Sequence, residues 1–136
     1  IQMTEIIFLN HASFLIKTLG KKIVIDPFGI IGKPELEKYQ KDIKSADIIL
    51  ITHGHNDHLS DAETILKSSG GKLLAVHEIG QYYTLKGIDN TQIIGLNKGS
   101  THDMGNGLTI TVTKAEHSSS LPDGSYGGEP LGYIIH

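Results

Sequence analysis

The sequence predicts a mixed α/β layered domain. Short β-rich runs dominate the chain, two or three stretches of helical spacing fall between them, and Gly or Pro punctuates most junctions. At 136 residues, 38% apolar and 20% charged, residues 1–136 form one domain's worth of sequence with enough apolar surface for a core. That composition excludes disorder, collagen-like repeats and coiled coil. No apolar run approaches the roughly 20 residues of a membrane span, so no membrane partner is expected. The chain has no cysteine, which removes disulfide scaffolds, thiolate metal sites and thiol catalysis.

Taken in order, Thr4–Asn10, Ser13–Thr18 and Lys22–Asp26 read as strands, with a hairpin turn at Leu19-Gly20-Lys21. Proline cannot donate to a ladder, so Asp26-Pro27 stops the third. Pro34 to Ile43 carries Leu36, Tyr39 and Ile43 at helical spacing, with Pro34 in the favoured first turn. Ala46 to Thr52 is a continuous apolar strand, which implies burial on both faces. Ser60-Asp61-Ala62-Glu63 has the form of a capping box and opens a helix that ends before Gly70-Gly71. Lys72–Val76 is a strand and Ile79–Leu85 a helix. Thr91–Leu96, Leu108–Thr113 and Tyr133–Ile135 are further strands, with a hairpin signal at Gly105-Asn106-Gly107.

Charge narrows the partners. Twelve basic residues, all lysine, face fifteen acidic ones for a net charge of −3. A nucleic-acid binder needs a basic face with arginine forks for phosphates, so no nucleic-acid partner is expected. The N-terminal run lacks the basic-then-apolar design of a signal peptide, and the expected location is cytoplasmic. Met3 is the expected natural start, behind Ile1-Gln2.

Histidine is the unusual residue, at eight in 136. It is the commonest metal ligand. Four potential ligands crowd into His53-Gly54-His55-Asn56-Asp57-His58, directly after the apolar strand and before the capped helix. Side chains two apart in an extended segment leave on the same side, so His53 and His55 can grip one ion. Asp57 and His58 fall where the chain turns into the helix and can point to a second position, and Gly54 relieves crowding between the first two ligands. A site after a buried strand is also where α/β sheets place their chemistry.

HGHNDH resembles the His-x-His-x-Asp-His signature of the metallo-β-lactamase superfamily. FLNHASFLI, VIDPF, ITHGHNDHLSD, EHSSSLPDG and YGGEPLGYII together resemble its uncharacterised metal-dependent hydrolases, similar to the ascorbate-6-phosphate lactonase branch. The resemblance runs from Met3 to Ile135. It implies a first metal site of His53, His55 and His117, and a second using Asp57 and His58. His117 also makes sense alone, since it follows a strand and opens the loop from Ser118 to Gly124. Asp26 matches the family aspartate that supports the metal loop from behind its ligands; an Asx turn before Pro27 is its other reading. His11 matches a family histidine close to the pocket, or is a satisfied strand histidine. Tyr126, Gly127 and Gly128 resemble a pocket-side loop. His77, His102 (in a Ser100–Met104 turn) and His136 match no ligand position and read as structural.

The implied fold is the N-terminal half of an αββα sandwich, one sheet with helices. Family members are substantially longer, and their second half supplies a bridging aspartate in a Gly-Asp-Thr context and a last histidine. Asp103, in a turn ahead of His117, is no substitute. The chain is therefore expected to be truncated, with one firm site for a divalent metal, zinc first among candidates, and an incomplete second. Three histidines and a water complete a tetrahedral catalytic zinc. The implied reaction is hydrolysis of a small-molecule ester, lactone or phosphoester by hydroxide generated on the metal, with Asp57 as the catalytic carboxylate. The alternative is a non-catalytic metal-binding half that needs a complementary half. An uncovered sheet face and a bare edge at Tyr133–Ile135 predict a homo-oligomer or pairing with that C-terminal half.

Overall fold

Strands β1 (Glu5–Asn10), β2 (Ser13–Thr18) and β3 (Lys21–Ile25) open the chain as an antiparallel meander. Its two hairpin turns are tight, and His11, Leu19 and Gly20 take the positive φ that such turns favour. The computed structural model describes residues 3–136, so Ile1-Gln2 lie outside it. From β3 onward the pairing is parallel. Strands β4 (Ile48–Leu50), β5 (Lys72–Val76) and β6 (Ile93–Leu96) complete a six-stranded sheet in the order β1 to β6. Parallel neighbours need long crossovers. Helix α1 (Gln40–Lys44) precedes β4, α2 (Asn56–Leu59) and α3 (Ala62–Ser69) precede β5, and α4 (His77–Leu85) precedes β6.

The expected single sheet is overturned. Strands β7 (Thr101–Gly105), β8 (Leu108–Lys114) and β9 (Leu131–Ile135) form a separate antiparallel three-stranded sheet. The expected Ser100–Met104 turn is thus mostly strand: Thr101 to Gly105 is half-exposed and polar, but β8 supplies its ladder. β8 turns Leu108, Ile110 and Val112 into the core. From β9, the Tyr133 hydroxyl donates to the carbonyls of Ile51 (2.6 Å) and Leu74 (3.3 Å) in the larger sheet. Its second sheet therefore covers the central strands, whose residues Ile23, Val24, Ile48, Ile49, Leu50, Leu73 and Leu74 are buried on both faces. Open apolar surface remains at the β1 edge, where Ile6 (68% exposed) and Phe8 (60%) lie open.

Smaller departures have local causes. Pro34–Tyr39 is a 3-10 segment that runs into α1, because the buried Gln40 amide donates to the Ile30 and Leu36 carbonyls and fastens the preceding loop. The capping box does not form. Asp61 precedes α3, but its carboxylate accepts instead from the amides of Ile30 (2.7 Å) and Ile31 (3.3 Å). The Asp89 carboxylate accepts from the Thr91 amide and holds Asn90–Gln92 in a 3-10 turn, so β6 begins at Ile93. α4 starts at His77, two residues before the expected Ile79. Gly71 is dictated by space: a Cβ there would lie 2.3 Å from the Ala46 carbonyl oxygen.

Candidate metal centre

The site is built on neighbouring strand ends. Ile25 of β3 pairs with Leu50 of β4, so Asp26 and Thr52 emerge side by side at the carboxyl edge of the parallel strands. Asp26 is buried and holds φ +44, a strained conformation for a non-glycine residue. Its carboxylate accepts from the Thr52 amide (2.8 Å), the Thr52 hydroxyl (2.6 Å) and His58 Nδ1 (2.9 Å). These are tertiary partners, which removes the Asx-turn reading. Burial pushes the Asp26 carboxyl above its ordinary value, while the Thr52 and His58 bonds pull the other way.

The Thr52 hydroxyl has given its proton to Asp26, so it accepts from His53 Nδ1 at 2.9 Å. His58 donates through Nδ1 to Asp26, and His117 through Nδ1 to the Ser118 carbonyl at 2.7 Å. Each of these rings therefore presents Nε2 as a lone pair, the orientation that metal-ligating histidines receive from their outer partners. His53 is only 5% exposed, and its Nε2 has no hydrogen-bond partner among the described residues. An orphaned buried nitrogen is costly. Here it points among imidazoles: the His53 ring centroid lies 4.8 Å from His55, 4.3 Å from His117 and 4.1 Å from His58. One donor atom from each of His53, His55 and His117 falls within 4.8 Å of the others, a set that fits a cation. Burial, reinforced by the neighbouring imidazoles, lowers the His53 pKa to about 4, which keeps its lone pair free at neutral pH.

Beside this cluster, His11 Nε2 lies 3.1 Å from one Asp57 carboxylate oxygen, and His58 Nε2 lies 3.8 Å from the other. Asp57 titrates below its ordinary value; partial burial opposes this, but His58 and His11 outweigh it. His11, Asp57 and His58 form a second group whose donor atoms lie within 4.8 Å of one another. The satisfied-strand reading of His11 fails, because its residue sits in the β1–β2 turn facing Asp57.

Loops far apart in sequence close the site. The Gly54 amide donates to Ser119 Oγ at 3.0 Å, and that hydroxyl donates to the Gly127 carbonyl at 3.2 Å. Gly54 serves this approach rather than relieving its neighbouring ligands: a Cβ would lie 3.1 Å from the Ser120 carbonyl oxygen. Tyr126 is exposed and, with Glu129, lines a cavity of about 330 Å³ that also takes in His77, Glu78, Asn97 and Lys98. His102 pairs with Ser100 on β7, and His136 with Thr111, away from the imidazole cluster. Thr52 and Ser119 were not foreseen. A Thr directly before the His-Gly-His run is a signal only once Asp26 is known to be its neighbour.

Comparisons with known proteins find metal-dependent hydrolases that resemble this chain along nearly its whole length. A UPF0173 metal-dependent hydrolase of Pyrococcus horikoshii is 42% identical over 134 residues, covering 98% of this chain and 56% of that protein. One from Koribacter versatilis is 37% identical over 139 residues, covering 99% and 58%. Igni18, a metallo hydrolase of the archaeon Ignicoccus hospitalis, is 36% identical and superposes with a TM-score of 0.80 over 98% of this chain and 55% of its own. The chain thus spans a little over half the length of the relatives it matches. The family model for the beta-lactamase superfamily domain matches residues 21–136, and the chain belongs to that family.

Proposed function

We propose that this chain carries the metal-binding half of a metal-dependent hydrolase acting on a small-molecule ester, lactone or phosphoester. The observation that carries the reading is the convergence of His53, His55 and His117 around the unpartnered His53 Nε2. Three imidazoles suit zinc, and also nickel, copper or cobalt, with availability deciding among them. When bound, the cation supplies Lewis acidity and a water acidified to near neutrality. The chain's residues do the rest. Thr52 and Asp26 fix the His53 ring, the Ser118 carbonyl fixes His117, and the ionised Asp57 carboxylate stands ready to orient a water or accept its proton.

The second reading, a half-domain without turnover until a complementary half docks, is favoured by apolar side chains left open on an edge strand. Phe8, Ile6 and the unpaired side of β9 are the surfaces such a half, or a second copy, would cover. The deciding experiment assays the zinc-loaded chain on nitrophenyl esters, lactones and phosphodiesters beside His117→Ala. Zinc-dependent turnover that His117→Ala abolishes establishes the hydrolase. Zinc binding without turnover establishes the half-domain, and absence of zinc binding contradicts both.

A further inference from the structure

The three clustered imidazoles come from two distant stretches of chain, and one residue touches a ring from each. The Ser118 carbonyl accepts from His117 Nδ1 at 2.7 Å, and the Ser118 hydroxyl oxygen lies 3.4 Å from His55 Nε2. We propose that Ser118 is a positioning residue of the centre, whose hydroxyl accepts from His55 Nε2 and so decides which nitrogen of that ring stays free. The inference rests on the reading of His53, His55 and His117 as a cation site, and it supplies the outer partner of the middle ring.

His55 has no other support. The Thr52 hydroxyl receives His53 Nδ1, and the Ser118 carbonyl receives His117 Nδ1. Among the described residues, Ser118 is the only hydrogen-bond partner of the His55 ring. A neutral imidazole carries one N–H and one lone pair. With the proton on Nε2 and Ser118 accepting it, Nδ1 is left as the lone pair for a cation. With the hydroxyl donating instead, Nε2 is capped and Nδ1 holds the proton, so neither nitrogen is open. While Ser118 stays in place, the cation role of His55 therefore requires the serine to accept. At 3.4 Å the bond is long and adds little stability. Its effect is to select a tautomer, as outer partners of metal-binding histidines do.

Ser118 is exposed, and the loop that carries it is anchored by its neighbours. The Gly54 amide donates to Ser119 Oγ at 3.0 Å, the Gly127 amide to the Ser119 carbonyl at 2.9 Å, and the Leu121 amide to the Ser125 carbonyl at 2.8 Å. Ser118→Ala thus removes the hydroxyl alone. The carbonyl on His117 and the closed loop both remain.

The test titrates the metal-free 136-residue chain with Zn²⁺ against a competing chelator, and reads the ring nitrogens by ¹⁵N NMR. Ser118→Ala should lose about tenfold or more in zinc affinity, whereas Ser118→Thr, which keeps a hydroxyl, should retain it. In the zinc-loaded wild type, His55 should hold its proton on Nε2 and bind through Nδ1, the reverse of His53 and His117. Unchanged affinity in Ser118→Ala overturns the proposal, as does a loss that Ser118→Thr fails to restore. A His55 ring that binds zinc through Nε2 overturns it as well, from the wild type alone and whatever the variants do. Each of these leaves the three-histidine site standing. A wild type that binds no zinc overturns both.

Discussion

Thr52 is the smallest group in the centre with the widest reach. Its hydroxyl joins the buried Asp26 carboxylate to the first imidazole, and its amide occupies the other Asp26 oxygen. Thr52→Val keeps the shape and removes the relay. It should cost about 10- to 100-fold in zinc affinity, the usual penalty for losing an outer partner of a ligand, while Thr52→Ser retains affinity; chelator competition measures both. His53 gives a pH prediction. Its pKa falls from an ordinary 6.5 to about 4 on folding, because burial disfavours the imidazolium. The unfolded chain then binds more protons between those values. The stabilisation is fully present above pH 6.5 and is lost as pH falls toward 4, by up to roughly 3 kcal/mol. Urea midpoints of the metal-free chain should drop through that window, whereas flat midpoints contradict the assigned environment. At this scale the ligands were readable, because four sit within six residues. Their supports were not, since Asp26 meets Thr52 only through the β3–β4 register.

Elements were legible where pattern and packing agreed. The Gly105-Asn106-Gly107 turn and the stop at Gly70-Gly71 formed as read, and the apolar run of Ala46–Thr52 formed a strand shortened to Ile48–Leu50. Failures came where a side chain was claimed by a tertiary partner. Asp61 carries the clearest case: it, not Ser60, stands at the start of α3, and its carboxylate holds the Ile30 and Ile31 amides instead of capping. Asp61→Ala should therefore destabilise the chain by about 1–3 kcal/mol, the cost of stranding partly buried donors, and should loosen the 27–32 loop in hydrogen exchange. A cap-only role would leave that loop's exchange unchanged. Gly71→Ala should be worse, since its Cβ would meet backbone oxygens of Ala46 and Asp47 at 2.3 and 2.9 Å. Thermal melting checks the order of the two variants. β7 was missed because Thr101 to Gly105 alternates only between half-buried and exposed, and its pairing comes from β8.

For the whole molecule, the second sheet changes what is left uncovered. The central strands are closed on both faces, so instability from a bare core is not expected. Among the surfaces left open are Ile6 and Phe8 on the β1 edge, and the side of β9 that β8 does not pair. Open edges and apolar patches invite partners. Sedimentation of the wild type should show association that Phe8→Glu with Ile6→Lys reduces, and a concentration-independent monomer would contradict this. None of this patch could be read from the sequence, because Glu5–Asn10 looks like any other buried strand until its neighbours are known. X-ray absorption at the zinc edge, on chain loaded with one equivalent, tests the convergence of His53, His55 and His117 most directly. Three imidazole nitrogens at about 2.0–2.1 Å, lost in His117→Ala, are the predicted result. An oxygen-only shell, or a spectrum unchanged by that substitution, would contradict it.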